Sequence, residues 1–511
     1  MSVASTEDRA NRWPITISVM LATVMNSLDT TIANVALPHI QGSVSASSDQ
    51  ITWVLTSYIV AAAIMTPLSG WMSDRIGRKK MFMASIAGFT VASMLCGIAT
   101  SLPEIVLFRL IQGVAGAALI PLSQAELLDI YPKEQHGQAM AIWGAGAILG
   151  PILGPALGGY LTENFSWRWC FYINLPVGIL AFLGVMFFIS GDKNIRSKPF
   201  DFLGFGMLTL FVGSLQLLLD RGPSQDWFSS KEITTYVILA AISLWVFISH
   251  TITSEHPFFD RALARDRNFV TASIFGFFVG VLLFSTMALL PPMLQELMGY
   301  PVFLSGLVTM PRGIGSWVAM FFVGRLIGKV DTRFILLFGL SLNAFALYQM
   351  MHFDLSMTAR YVVISGVIQG FGIGFIFVPL STLAFATVSP ALRPEGSALY
   401  TLIRNMGSSV GISVMEALVV SNTQVAHSSL AAHVVTSNPV VRSGLSAAMN
   451  PTTAAGAMAL NNEITRQASM VAYIDDFKLM FFITLACIPM LLIMRKPKAQ
   501  PGGEPVHAAL D

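Results

Sequence analysis

The sequence predicts an all-α integral membrane protein made of two related six-helix bundles, with two further helices inserted between them. Three observations carry that prediction. Of the 511 residues, 54% are hydrophobic and 11% charged, with a mean hydropathy of +0.66, whereas a soluble domain carries about 25% charged residues. Apolar runs of about 20 residues, long enough to cross ~30 Å of hydrocarbon, recur from one end of the chain to the other. Ile111-Gln112-Gly113 followed by Ile120-Pro121-Leu122-Ser123 resembles Ile368-Gln369-Gly370 followed by Val378-Pro379-Leu380-Ser381, at an offset of about 257 residues. Gly70 and Gly324 sit at nearly the same offset. Internal repeats in a polytopic membrane protein point to a transporter whose two halves rock about a central site.

Fourteen spans are read at about 15–37, 51–72, 80–99, 104–128, 138–160, 167–190, 202–219, 233–253, 269–293, 303–327, 333–353, 359–388, 395–420 and 474–494. The first contains one charge, Asp29. An acidic group at membrane depth costs about 2.5–3.5 kcal/mol on insertion scales, so it is functional, paired or protonated. Asn26 lies one turn away, and Thr23, Thr30 and Asn34 form an adjacent polar line, giving a hydrated face. Asp29 is then either a carboxylate that exchanges a proton for a cationic substrate or a brace for the outer end of the bundle.

After the second span, Gly70, Asp74, Arg75, Gly77 and Arg78 open a turn that runs to Lys80. The glycines allow a tight turn, and Asp74 sits at a helix end or engages Arg75 and Arg78, forming a latch that breaks when the halves rock. A merely basic turn explains the arginines and lysines but not Asp74 with the glycines. In the fourth span Gln112 follows Arg109 by one turn, and Gly113 and Gly116 leave room beside them. A buried guanidinium needs carboxylate or carbonyl partners. The position matching Arg109 in the second half is Gly366, so a charge pathway here is one-sided. Glu126 and Asp129 lie at the inner end of that span, where Glu126 could receive a proton and where simple solvation also accounts for both.

The fifth span has the least side chain. Gly146, Gly150, Gly154 and Gly158 recur at a spacing of four, which puts four residues without side chains on one line and lets a neighbouring backbone approach closely. Pro151 and Pro155 repeat at the same spacing and kink the helix, which holds together only when wedged between partners. Tight packing alone accounts for the glycines as well as a special role does.

Spans seven and eight carry no buried charge and read as an inserted hairpin. In the second half, Arg312 follows Pro311 in the tenth span, and the thirteenth carries Arg404 and Glu416. Twelve residues along a helix is about 18 Å, so these last two cannot pair, and each needs another partner, water or substrate. The stretch 421–473, rich in Ala, Ser, Thr and Asn, reads as a long outer loop whose latter part, Glu463 to Lys478, is helix-compatible.

The domains are then 1–190, the first bundle; 191–260, the hairpin; and 261–511, the second bundle with its long loop. An even span count puts both termini on one side. Placing that side in the cytoplasm leaves two thirds of the 30 Lys and Arg in inner loops, as the positive-inside rule requires. No removable leader is evident, since the first apolar run is long and contains Asp29.

At this point the residues resemble the major facilitator superfamily and, within it, the fourteen-span drug:proton antiporters. Gly70 through Lys80 is similar to the loop motif after the second span. Leu28-Asp29-Thr30-Thr31 through Asn34 and Pro38 resembles the first-span motif of the fourteen-span group. Arg109-Leu-Ile-Gln112-Gly113 resembles the fourth-span arginine motif, and Gly150-Pro151 through Gly158-Gly159 the fifth-span motif associated with antiporters. Gly213 through Gly222, followed by Asp226-Trp227-Phe228, narrows the resemblance to EmrB-type pumps. It implies proton coupling at Arg109, an arginine of the family at Arg404, and partnership with a periplasmic membrane-fusion adaptor and an outer-membrane channel.

Other classes of function find no support. Gly407-Ser408-Ser409-Val410-Gly411 fits a hydrolase pattern but lies in an apolar span rather than on a strand-turn-helix elbow. Neither a phosphate-loop signature nor an H-E-x-x-H pair is present, and Cys96, Cys170 and Cys487 have no metal or disulfide spacing. No enzyme activity, no metal or other cofactor and no nucleic-acid partner is expected; the driving force is a proton gradient. The expectation is an inner-membrane antiporter exporting hydrophobic or amphipathic drugs in exchange for protons. Proton coupling is assigned to Asp29, Arg109 and Glu126, and the substrate cavity to Asn26, Asn34, Gln112, Arg312, Arg404 and Glu416. Two alternatives stay open: a symporter importing a small solute, and a non-transporting receptor or assembly platform.

Overall fold

A computed structural model describes residues 12–132, 135–191, 199–222, 225, 227–327, 329–434, 449 and 453–492. Asp226 and the stretch 435–448 of the long loop, both used above, lie outside them. Among the described residues there is no β-strand, and the long helices are α1 (Arg12–Val44), α2 (Trp53–Ile76), α3 (Arg78–Ile98), α4 (Leu102–Gly116, resuming as Leu119–Ile130), α5 (His136–Asn164), α6 (Asn174–Phe188), α7 (Phe202–Arg221), α8 (Lys231–Thr253), α9 (Arg267–Pro292), α10 (Val302–Leu326), α11 (Thr332–Met350), α12 (Ala359–Phe385), α13 (Arg393–His433) and α14 (Ala454–Met490). Twelve helical segments are long and apolar enough to cross a membrane.

The two outside that set, α13 and α14, are the longest, at 41 and 37 residues. Their polar extensions correct one expectation. The stretch 421–473 is in large part helix rather than loop, because α13 runs on to His433 and α14 starts at Ala454. The helical reading of Glu463 to Lys478 holds, since both lie within α14.

Local sequence explains where several helices start. Asp201, Asp266, Asp331 and Thr453 each accept a backbone N–H of the following turn at the heads of α7, α9, α11 and α14, satisfying donors that a helix start leaves open. Prolines inside α1, α2, α5, α9, α10 and α12 are tolerated because neighbouring helices support the freed backbone groups. The outer surface is apolar, with Trp13, Phe187, Phe202, Trp245 and Phe334 all exposed. That is the reverse of a water-facing surface and fits contact with lipid.

Packing has a polarity along the helix axes. At the end holding the α2–α3 turn, a single apolar core joins both halves, with Ile15, Phe82, Leu122 and Trp143 from the first six helices and Phe269, Leu336, Phe385 and Leu491 from the last six. At the opposite end the cores are separate. Ile32, Ile40, Val54, Ile105 and Phe171 form one cluster, and Leu289, Leu294, Met350, Phe353 and Phe477 form another. The halves are therefore fused at the turn end and individually packed at the other.

Two elements cross between the halves. The first is α5, whose four-spaced glycines do not face the second half. A Cβ on Gly150 would lie 2.3 Å from the Ser27 carbonyl carbon, and one on Gly154 would lie 2.1 Å from Thr31 Oγ1, so the glycine line is pressed onto α1. Thr31 Oγ1 donates to the Gly150 carbonyl at 3.1 Å across that contact. Another face of α5 meets α10, where a Cβ on Gly313 would collide with Ile152 and one on Gly324 would come 2.9 Å from Ala141. The second crossing element is α7, which Thr56 of α2 holds through Asp220 at 2.8 Å and Ser413 of α13 holds through the Leu219 carbonyl at 2.9 Å.

Candidate transport site

The densest polar constellation lies inside the first six helices. Asp29 on α1 and Arg109 on α4 are 0% and 1% exposed and pair at 2.6 Å between Oδ2 and Nη1. Each remaining lone pair or N–H is largely accounted for by neighbours. Gln112 Nε2 donates to Asp29 Oδ1 at 2.9 Å, and Asn174 Nδ2 of α6 donates to the same oxygen at 2.8 Å. Arg109 also donates to Gln112 Oε1 at 2.8 Å and to the Val54 carbonyl at 3.2 Å. Asn174 donates in turn to Ser93 Oγ, which donates to the Phe171 carbonyl, each at 2.9 Å. The Tyr58 ring lies 4.3 Å from the Arg109 guanidinium carbon, and Asn26 Nδ2 donates to the Tyr58 hydroxyl.

Sequence logic explains the assembly. Gln112 stands one turn from Arg109 on α4, so both point at α1 from the same face. Gly113 lets the helices close, since a Cβ there would lie 2.5 Å from the Tyr58 carbonyl oxygen. A buried ion pair survives only when its geometry and hydrogen bonds repay desolvation, and here the carboxylate has three donors. The arrangement is a buried carboxylate–guanidinium pair held by amide donors from α4 and α6.

Asn26 and Gln112, expected in a substrate cavity, are placed by their hydrogen bonds in this cluster. Gln112 is fully buried, because its amide spans the ion pair. Asn34 lies two turns beyond and is exposed. Sequence reading missed Asn174, Ser93 and Tyr58; the available signal was Asn174, a lone amide just inside an apolar run.

The other candidates sit apart from this cluster. Arg312 of α10 donates one Nη to the Leu283 carbonyl at 3.1 Å, while the other is buried without a hydrogen bond. Arg404 of α13 lies 5.5 Å above the Phe377 ring. Phe377 is stacked against Trp143 of α5 at 5.7 Å, and Trp143 is anchored by a 2.9 Å bond to Ser123 Oγ. Arg404, Phe377 and Trp143 thus line up across the boundary between halves. Glu416 is exposed on α13.

At the turn end, Gly77 adopts φ +94°, which a side chain would strain, and Gly70 lets α13 pass so closely that a Cβ would sit 3.0 Å from Glu395 Cα. Ion pairs join the halves there through Asp129, which binds both Arg78 and Arg393. Arg393 also donates to the Leu128 carbonyl at 2.9 Å, and Ser397 Oγ to Gln124 Oε1 at 2.6 Å. Glu126 lies 3.8 Å from Arg78, on the same end of α4 as Asp129. Arg75 lies over the Trp71 ring at 5.2 Å. Asp74 lines a groove of about 340 Å³ with Trp71, Asp201, Asp260 and Glu395. The contacts that join the halves here thus bring Arg78 of the turn together with α4 and α13, and no spacing in the α2–α3 turn announces either helix.

Together these features define a polytopic helical membrane protein of two related halves, with a buried ion-pair cluster in one and ion pairs between them. Comparison with known proteins agrees. The Major Facilitator Superfamily profile matches residues 19–412. The multidrug export protein EmrB of Escherichia coli K12 is 34% identical over 96% of each chain, and the fatty acid resistance protein FarB of Neisseria gonorrhoeae is 33% identical over 96% of this chain and 97% of its own. The proton:xylose symporter XylE superimposes with a TM-score of 0.60 at 13% identity, covering 94% of this chain and 96% of its own, which shows the fold. The chain belongs to the major facilitator superfamily, among relatives of the EmrB type; it is a multi-pass membrane transporter and not an enzyme.

Proposed function

We propose that this transporter is a proton-coupled multidrug antiporter of the bacterial inner membrane, exporting hydrophobic or amphipathic compounds. The observation that carries the reading is the sealed Asp29–Arg109–Gln112–Asn174 cluster, a buried carboxylate held by a guanidinium and two amides. The names of the EmrB and FarB relatives support export of toxic apolar compounds. No phosphate loop supplies ATP chemistry, so the driving force is an ion gradient, and one charge moved across 100 mV is worth about 2.3 kcal/mol.

In this reading α13 and α14 also span, making fourteen spans. The bias of basic residues puts the latch end in the cytoplasm. The arrangement with a fused latch end and separate cores at the other end is then the state closed toward the cytoplasm. Proton uptake at Asp29 frees Arg109, releases the exported compound outward and lets the halves rock; opening the Asp129 latch returns the proton inside. The helical extensions of α13 and α14 beyond the membrane face a periplasmic adaptor, which continues to an outer-membrane channel.

The test is proton release by purified protein in detergent on addition of ethidium or another lipophilic drug, in wild type and Asp29→Asn. Release in wild type that vanishes in the variant supports the reading. Drug binding without release from either protein overturns it.

A further inference from the structure

The last helix holds a second buried carboxylate that the scheme above does not use. Asp476 on α14 is 1% exposed, and both of its carboxylate oxygens are buried without a hydrogen-bond partner. Helical spacing puts it on the same face as Tyr473 and Met480. With Phe477, these pack into the cluster of Leu289, Leu290, Met293 and Met415 from α9 and α13.

Among the described residues no cation bonds to it. Asp475 and Lys478 on α14 are exposed. Arg466, further back on α14, is engaged by the Leu297 carbonyl and Glu463. Glu416 of α13 and Glu296 of the turn after α9 come, with Asp476, within electrostatic reach of Tyr473, and Tyr348 of α11 packs against Phe481. The charges that converge here are carboxylates.

An ionised carboxylate without donor or cation, in an apolar surround, is strongly disfavoured, and such a group neutralises instead. A sodium or other hard cation needs several oxygen ligands; among the described residues no metal-type cluster occurs, and the wall here is Leu, Met and Phe. A proton is the ligand that fits. A protonated acid with no acceptor adds nothing to packing that leucine would not supply better, so the group is matched to another arrangement of α14 against α9 and α13, in which water reaches it.

We propose that Asp476 is a proton-binding site in the half that lacks the Asp29–Arg109 pair, protonated in the arrangement described here and deprotonated when α14 shifts against α9 and α13. Its place in a transport cycle rests on the proton-coupled reading above; its protonation does not.

The experiment is infrared difference spectroscopy of the full-length protein in nanodiscs without drug, at neutral pH, for wild type, Asp476→Asn and Asp29→Asn. The expected result is a carboxylic-acid carbonyl band in wild type and Asp29→Asn that is lost in Asp476→Asn and shifts on transfer to heavy water. Absence of that band in wild type, or its survival in Asp476→Asn, overturns the proposal. A band that never exchanges with heavy water makes Asp476 a permanent structural acid and also overturns it. Asp476→Leu is a second variant, expected to fold at least as well as wild type because the pocket is apolar. Since no drug is present, failure of the antiport reading leaves this outcome unaffected.

Discussion

The two halves carry the same scaffold and different chemistry. In the first, Asp29, Arg109 and Gln112 form a buried ion-pair cluster; at the matching offset of about 257 residues the second has Thr286, Gly366 and Gln369. The glutamine bond is kept, since Gln369 Nε2 donates to Thr286 Oγ1 at 3.3 Å as Gln112 does to Asp29. The charges are not kept. Arg312 enters from α10, with a Cβ at Gly366 only 3.5 Å from its own Cβ, and it meets a carbonyl instead of a carboxylate. Repetition thus preserved what packs the bundle, while the ion pair, costly unless fully partnered, occurs in one half alone.

The contrast is broken most severely at the pair itself. Arg109→Met leaves Asp29 buried without its cation, an uncompensated charge worth about 3–5 kcal/mol, so drug-driven proton release is abolished and the detergent melting temperature falls sharply. Arg312→Met removes a guanidinium that has no carboxylate partner among the described residues and is expected to leave the melting temperature unchanged or raised. Equal losses in both variants would mean that the halves are energetically alike.

A smaller effect separates the faces of α5. Gly150→Ala forces a Cβ into the Ser27 backbone, whereas a Cβ on Gly159 meets nothing within 4 Å. Overpacking of this kind costs about 1–3 kcal/mol, so Gly150→Ala lowers melting temperature and transport while Gly159→Ala does neither. Comparable loss from both would remove the α1–α5 contact as the reason for the glycines.

Smaller again is the latch. Asp129→Asn weakens two ion pairs of one partly exposed carboxylate at once, the first with the partly exposed Arg78 and the second with the buried Arg393, and solvent screening at Asp129 keeps the loss to about 1 kcal/mol each. It should shift the population toward opening at that end, read as faster labelling of a cysteine placed at Ser397. The smallest effect is expected at Gln369→Ala, which removes one neutral bond of about 1 kcal/mol and should change transport less than Gln112→Ala. The reverse order would place proton coupling in the second half.

Legibility followed physical origin. Helix positions were readable because each span must bury its backbone polar groups and present apolar side chains over a fixed thickness, a constraint that acts locally. The α13 and α14 extensions were missed for the same reason, since beyond the membrane hydropathy no longer separates helix from loop. Asp29 and Arg109 were visible as charges where charge is expensive, but their partner Asn174 was not, because one amide at the edge of a span looks the same whether it faces a headgroup or a carboxylate.

By itself, the sequence determined the helical membrane class, the repeat, the family and the residues too costly to be idle. Tertiary structure alone decided who meets whom. It turned the glycine line of α5 toward α1, joined Asp129 to both Arg78 and Arg393, set Gln112 against Asp29 and left Asp476 buried with neither oxygen bonded. The physical reason is that insertion cost is a property of one residue at one depth, while pairing depends on how helices distant in sequence rotate against each other, and that rotation is set by the packing of all of them together.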